Sequence, residues 1–160
     1  MNGWRKLLIG AAVLGASSAA TRPCAAYYQW EIKEIFSSAD GTVQFIEMFT
    51  SEPFNDVLNS HNIKAISDGV SKEVIFNSNL TQPTEGRHFL IATAGFGSLA
   101  GGVTPDYTIP SNFFNPNATT INFEFAHRWD TLTVSGASIP KDGRNSLTDT
   151  DTSFDSEIDN

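Results

Sequence analysis

The sequence predicts an all-β protein, with about seven short strands arranged as a sandwich or a barrel. Three observations predict it. Apolar residues recur mostly with period two, the spacing of a half-buried strand. Asp-Gly, Pro and Asn clusters interrupt these runs at spacings near ten residues. No stretch carries the period of an amphipathic helix. At 160 residues the chain has the length of one domain, and no segment repeats at a fixed interval.

Each element has its own signal. Tyr28, Trp30 and Ile32 alternate with Gln29, Glu31 and Lys33. Ser37 to Gly41 then makes a turn, and Val43 to Phe49 reads as the second strand of a hairpin with a longer loop. Pro53 to Ser60 is loop-like. Asn62 to Ser67 and Lys72 to Phe76 are short strands separated by Asp68-Gly69. Asn77 to Gly86 is a polar loop containing Pro83. Arg87 to Thr93 is the most apolar strand, and its Phe89-Leu90-Ile91 run fits a central, buried position. Ala94 to Asn117 is rich in Gly and Pro and has room for one helical turn near Phe96 to Leu99. Thr119 to Phe125 sends Ile121, Phe123 and Phe125 to one side. Trp129 to Ser135 directs Leu132 and Val134 inward, and Asp142-Gly143 turns again. The pair Phe113-Phe114 is either a contact patch or a cap on the core.

The two ends differ from this body. Arg5 and Lys6 precede ten apolar and glycine residues, Leu7 to Ala16, and then the small residues Ser17 to Ala20. That order is a secretory signal peptide, with cleavage after Ala20 or Ala26. Ten apolar residues are too few for a bilayer-spanning helix, which needs about 20. Cys24 follows Thr21, Arg22 and Pro23, which do not fit the aliphatic-then-small pattern of a lipidation site. Residues 148–160 hold Asp149, Asp151, Asp155, Glu157 and Asp159 and no base. This composition predicts an acidic, disordered tail. The expected organisation is a signal peptide over 1–26, one β-domain over 27–147 and a tail over 148–160.

Charge and cysteine content exclude several classes. Eighteen acids against 10 bases leave a formal net charge of −8. Loss of residues 1–26 removes three bases and no acid, so the exported chain is more acidic still. No cationic surplus exists to displace counterions from phosphates, so nucleic acid is excluded as a partner. A single Cys excludes a disulfide framework.

The strand pattern resembles a known family. Ile32-Lys33-Glu34-Ile35 is followed, after the Asp40-Gly41 loop, by Gln44-Phe45-Ile46-Glu47-Met48. This resembles the opening of lamin-tail domains, where an Ile-x-Glu-Val strand precedes Phe-Ile-Glu-Leu. Leu80 to Pro83 before His88 to Thr93, and Trp129 to Val134 before Pro140-Lys141-Asp142-Gly143, are also similar. The likeness covers residues 28 to 147. It departs at Lys33, at Phe49-Thr50-Ser51 and in the long Ala94 to Asn117 region. The resemblance implies an immunoglobulin-like antiparallel sandwich of about seven to nine strands. It implies an accessory module of an exported bacterial protein, without an activity of its own. Fold-level likeness assigns no ligand.

Few constellations carry chemistry. Gly95-Phe96-Gly97-Ser98-Leu99-Ala100 has the G-x-G-x-x-G/A spacing. Gly101, Gly102 and Pro105 would break the helix that must follow, and no acid lies about 20 residues on. His61, His88 and His127 form neither H-x-x-x-H nor H-E-x-x-H. Many serines are present, but no G-x-S-x-G elbow singles one out. Glu34 and Glu47 each sit inside an apolar strand. If those strands pair, the two carboxyl groups come close, as in a glycosidase. The competing reading is structural, with the carboxylates accepting backbone N–H groups or pairing with Arg87 or Arg128. Both glutamates belong to the lamin-tail motif. Acidic oxygens of the tail suit calcium, but an EF-hand loop from Asp149 needs Gly where Phe154 stands and Glu where Asn160 stands. Asn79-Leu80-Thr81 and Asn117-Ala118-Thr119 have the form of glycosylation acceptors.

The sequence reading is therefore an exported, non-catalytic interaction or structural module with a protein or glycan partner at the cell envelope or outside the cell. No catalytic, cofactor or metal residues are assigned, and the mature chain has no membrane span. Two other readings stay open: a calcium-dependent adhesion or carbohydrate-binding sandwich, and a secreted hydrolase using Glu34 and Glu47.

Overall fold

The computed structural model describes residues 30–81, 83–125, 127–134 and 139–149. The expected signal peptide over 1–26, with Cys24, and the expected tail beyond Asp149 lie outside them. The described residues form a β-sandwich of two sheets. The strands are β1 (Glu31–Ser37), β2 (Gln44–Thr50), β3 (Asn62–Ser67), β4 (Val70–Ile75), β5 (Arg87–Thr93), β6 (Tyr107–Ile109), β7 (Thr119–Phe125), β8 (His127–Val134) and β9 (Leu147–Thr148). A single helical turn, α1 (Ala94–Gly97), follows β5.

One sheet has the order β6-β5-β2-β1-β9 and the other β4-β3-β7-β8. All pairings are antiparallel except β5 with β6. Strand β5 has neighbours on both sides, as its unbroken apolar run implies. Strand β2 alternates strictly. Gln44, Ile46, Met48 and Thr50 point inward, and Phe45, Glu47 and Phe49 point outward. The core between the sheets is aromatic. Trp30 meets Phe89 edge-on at 4.6 Å, and Phe76 stacks on Tyr107 at 4.1 Å. Phe113 and Phe114 are buried, so they cap the core and offer no contact patch.

The turns follow from local chemistry. Asp68 and Gly69 both have positive φ, 52° and 76°, and Ser67 pairs with Val70. This is a two-residue hairpin with the backbone twist that suits strand pairing. Strand β4 accordingly starts at Val70, two residues before the alternation alone suggests. The longer β1–β2 loop is held by Asp40, whose Oδ1 accepts from the Ser38 hydroxyl (2.6 Å) and from the Thr42 hydroxyl and N–H (2.8 and 3.1 Å). These bonds, the Ser38 hydroxyl foremost, lower the Asp40 pKa to about 2.

Three expectations change. Phe125, placed inward by the alternation, is 39% exposed. A register shift between Phe123 and Glu124 turns the end of β7 outward, and Phe125 stacks on His61 at 4.4 Å. The helical turn forms at Ala94–Gly97, just ahead of the expected Phe96 to Leu99. Thr148 and Asp149, which composition assigns to the tail, join the sheet: Thr148 pairs with Glu34, and the Asp149 N–H donates to the Lys33 carbonyl at 2.8 Å.

Candidate functional site on the outer face of the five-stranded sheet

Strands β1 and β2 bring Glu34 and Glu47 side by side as direct cross-strand partners. A bulge between Ile32 and Glu34 sets this register and turns Glu34 to the outer face. Glu34 acts on Glu47 electrostatically, raising its pKa. Each also has a partner on its far side. The Ser146 hydroxyl, just ahead of β9, donates to Glu34 Oε1. On the other side, His88 Nδ1 of β5 lies 3.0 Å from Glu47 Oε1. Ser146, Glu34, Glu47 and His88 thus form one polar row across β1, β2 and β5, with Ser146 at its end. The basic partner is His88; the Arg87 guanidinium instead donates to the Thr81 carbonyl.

Burial raises the Glu47 pKa, the hydrogen bond with Glu34 raises it further, and the neighbouring His88 pulls it down. An ionised Glu34 beside Glu47 disfavours the second negative charge, which is the sense of its effect on Glu47. The pair opens onto a shallow depression of about 380 Å³ walled by Phe45, Phe96 and Val103. Asp106 also lines it, and its Oδ2 accepts the Leu90 N–H at 2.9 Å. The Asp106 carboxylate thus ties β6 to β5. Glycosidases hold their two carboxyl groups about 5 to 9.5 Å apart, so that sugar or water fits between them. Here Glu34 and Glu47 face each other as cross-strand partners, and each carboxyl group is engaged on its far side, by Ser146 and by His88.

The other sequence candidates scatter. His61 is buried between Phe123 and Phe125, and desolvation lowers its pKa to about 4. His127 opens β8 on the other sheet. Among the described residues no group of three or more His, Cys, Asp or Glu could hold a metal ion. The glycine-rich stretch serves packing. A Cβ at Gly95 would approach the Thr42 carbonyl to 2.8 Å, and one at Gly102 the Phe96 carbonyl to 2.6 Å. Phe96 covers Phe45 at 5.4 Å, centroid to centroid. Asn79 accepts the Asn59 N–H at 2.9 Å, and Asn117 accepts the Lys141 ammonium. Arg128 lines a second depression on the opposite sheet.

Two buried polar residues went unnoticed in the alternation. Gln44 bonds the Phe113 N–H and the Phe114 carbonyl, both at 2.7 Å, and so holds the segment that caps the core. Asp130 of β8 accepts the Ile32 N–H at 2.5 Å. Strand β9 pairs only with Glu34 and Ile35, so Ile32 lies beyond it and its donor is taken from the opposite sheet. Burial raises the Asp130 pKa to about 6, with Asp149 and Glu31 adding to the rise. No local pattern marks these residues, because their partners lie far away in the chain.

No family model matches the chain, and no curated protein is significantly similar to it. Fold and site therefore stand on geometry alone. No helix among the described residues is long and apolar enough to cross a membrane.

Proposed function

We propose that this is an exported, non-catalytic interaction module built on a lamin-tail-like, immunoglobulin-type sandwich, acting at the cell envelope or outside the cell. One observation carries the non-catalytic part. The strongest chemical candidate, Glu34 with Glu47, is held from both sides by Ser146 and His88. Such a row spans β1, β2 and β5 and ends at Ser146, and carboxyl groups committed to these partners favour a structural role over hydrolysis. Export rests on the charged, apolar and small-residue order of residues 5–20. The lamin-tail likeness rests on the Ile32–Ile35 and Gln44–Met48 strands, which pair as a hairpin as that family's opening would.

The test has two arms. Expressed in an exporting host, the full chain is expected to be recovered outside the cytoplasm with its N-terminus at Thr21 or Tyr27, by mass spectrometry. Recovery only as unprocessed cytoplasmic protein overturns export. In the second arm, thermal unfolding is followed with calcium, with EDTA and with soluble glycans. A calcium-dependent rise of several degrees would move the reading to calcium-dependent adhesion, because a ligand that binds the native state stabilises it.

A further inference from the structure

Strand β4 is an edge, and its backbone says which residues face outward. The Phe76 N–H donates to the His61 carbonyl, and Ser67 pairs with Val70 across a two-residue turn. Hydrogen-bonded pairs alternate along an antiparallel ladder. Val70, Lys72 and Val74 therefore spend their backbone groups on β3. Ser71, Glu73 and Ile75 present theirs to the open side, where no described strand pairs with them. Two depressions flank this edge, one on each face. On the outer face one of about 420 Å³ is lined by Asn62, Glu73, Ile75, Glu124, Phe125 and others. On the other face one of about 340 Å³ is lined by Val70, Lys72, Asn112 and others. Val70 and Ile75 are 58% and 64% exposed.

We infer that β4 is a strand-addition site for an extended peptide segment that carries a basic side chain opposite Glu73 and β-branched residues around it. Main-chain bonds to Ser71, Glu73 and Ile75 supply affinity, and alternate side chains fall over the two flanking depressions. Charge selects the occupant. Glu124 has Lys64 at 4.0 Å and the Asn122 amide at 3.0 Å, whereas Glu73 is bonded to the Asn62 amide. A cation on the added strand approaches Glu73 from the open side, away from Lys64 on β3, and the acidic chain as a whole favours a basic partner. A second copy of the chain fits poorly. Only Ser71, Glu73 and Ile75 have outward groups, so the one antiparallel register that engages all three places Glu73 opposite Glu73. The inference rests on the interaction-module reading and names the surface and partner of that module.

The test is titration of the full chain, followed by amide NMR, with two capped peptides: Val-Thr-Lys-Thr-Val-Thr and the same peptide with Glu for Lys. The expected result is millimolar or tighter binding of the Lys peptide. Shifts and slowed exchange should be confined to Ser71, Glu73, Ile75 and the flanking depressions, and the Glu peptide should bind about tenfold more weakly. Glu73→Lys reverses the preference. Ser71→Pro removes an outward donor without touching the β3 ladder and abolishes the response. If it fails to fold, the charge reversal still decides. Equal binding of both peptides, shifts on another face, or no response to either overturns the inference. So does protection of the outward amides before any peptide is added, which would mean that the edge is already covered. None of these outcomes bears on export or on the Ser146–Glu34–Glu47–His88 row, so the module reading is tested separately.

Discussion

Asp130 and His61 titrate in opposite senses over the same pH interval. The folded pKa of Asp130 is raised to about 6 by burial. Its protonated form is favoured by the fold, so that stability is complete below about pH 4 and is lost as pH rises through 6. Glu47, raised by burial and by Glu34, acts in the same sense. The folded pKa of His61 is lowered to about 4 by burial among aromatic rings. Its contribution is complete above about pH 6.5 and is lost as pH falls toward 4. Two differences from the parent isolate these effects. Asp130→Asn keeps an acceptor for the Ile32 N–H and removes the buried charge. It should stabilise by on the order of 2 kcal/mol at pH 8 and by nothing below pH 4. His61→Phe should stabilise at pH 4 and have no pH-dependent effect above 7. Urea midpoints at pH 4, 6 and 8, with unchanged slopes, measure both. Destabilisation by Asp130→Asn at pH 8 would show that the ionised carboxylate is worth more than its burial costs.

At the scale of elements, the hairpins differ in what their glycines do. Gly69 has φ of 76° with open space around it, so only conformation matters there. Gly41 has φ of 68° and lies against Asn112, whose side-chain oxygen would come within 2.1 Å of an added Cβ. Asn112 also donates its N–H to the Gly41 carbonyl at 2.8 Å. Gly69→Ala should cost about 1 kcal/mol, and Gly41→Ala should cost more, because strain and displacement of Asn112 add. Denaturant midpoints order the two, and the reverse order would refute this account of the loop. Strands β3, β5 and β7 could be read from the sequence to the residue, because each has six or seven residues and clear alternation or an apolar run. Strands β6 and β9 could not. They have three and two residues, too few to show a period, and β6 runs parallel to β5 across the Gly- and Pro-rich segment. The nearness of Glu34 and Glu47 followed from pairing the first two strands. Their closing partners, His88 and Ser146, could not be read, because cross-strand neighbours depend on a register set by the β1 bulge and by the late strand β9.

The described residues form a two-sheet sandwich whose polar groups serve its own closure. Gln44 holds the capping segment, Asp130 links the sheets, and the Ser146–Glu34–Glu47–His88 row crosses the larger sheet. What the described residues leave to a partner is surface, and β4 is one of its edge strands, with the backbone groups of Ser71, Glu73 and Ile75 on the open side. Edge strands invite pairing unless something blocks it. Here the like charge at Glu73 discourages a second copy in full register while leaving the backbone open. The most direct test is residue-resolved hydrogen exchange of the free full chain along β4. The account predicts alternation, with Lys72 and Val74 slow and Ser71, Glu73 and Ile75 fast. Uniform protection across the strand would contradict the open edge, and uniform fast exchange would contradict the β3–β4 pairing itself.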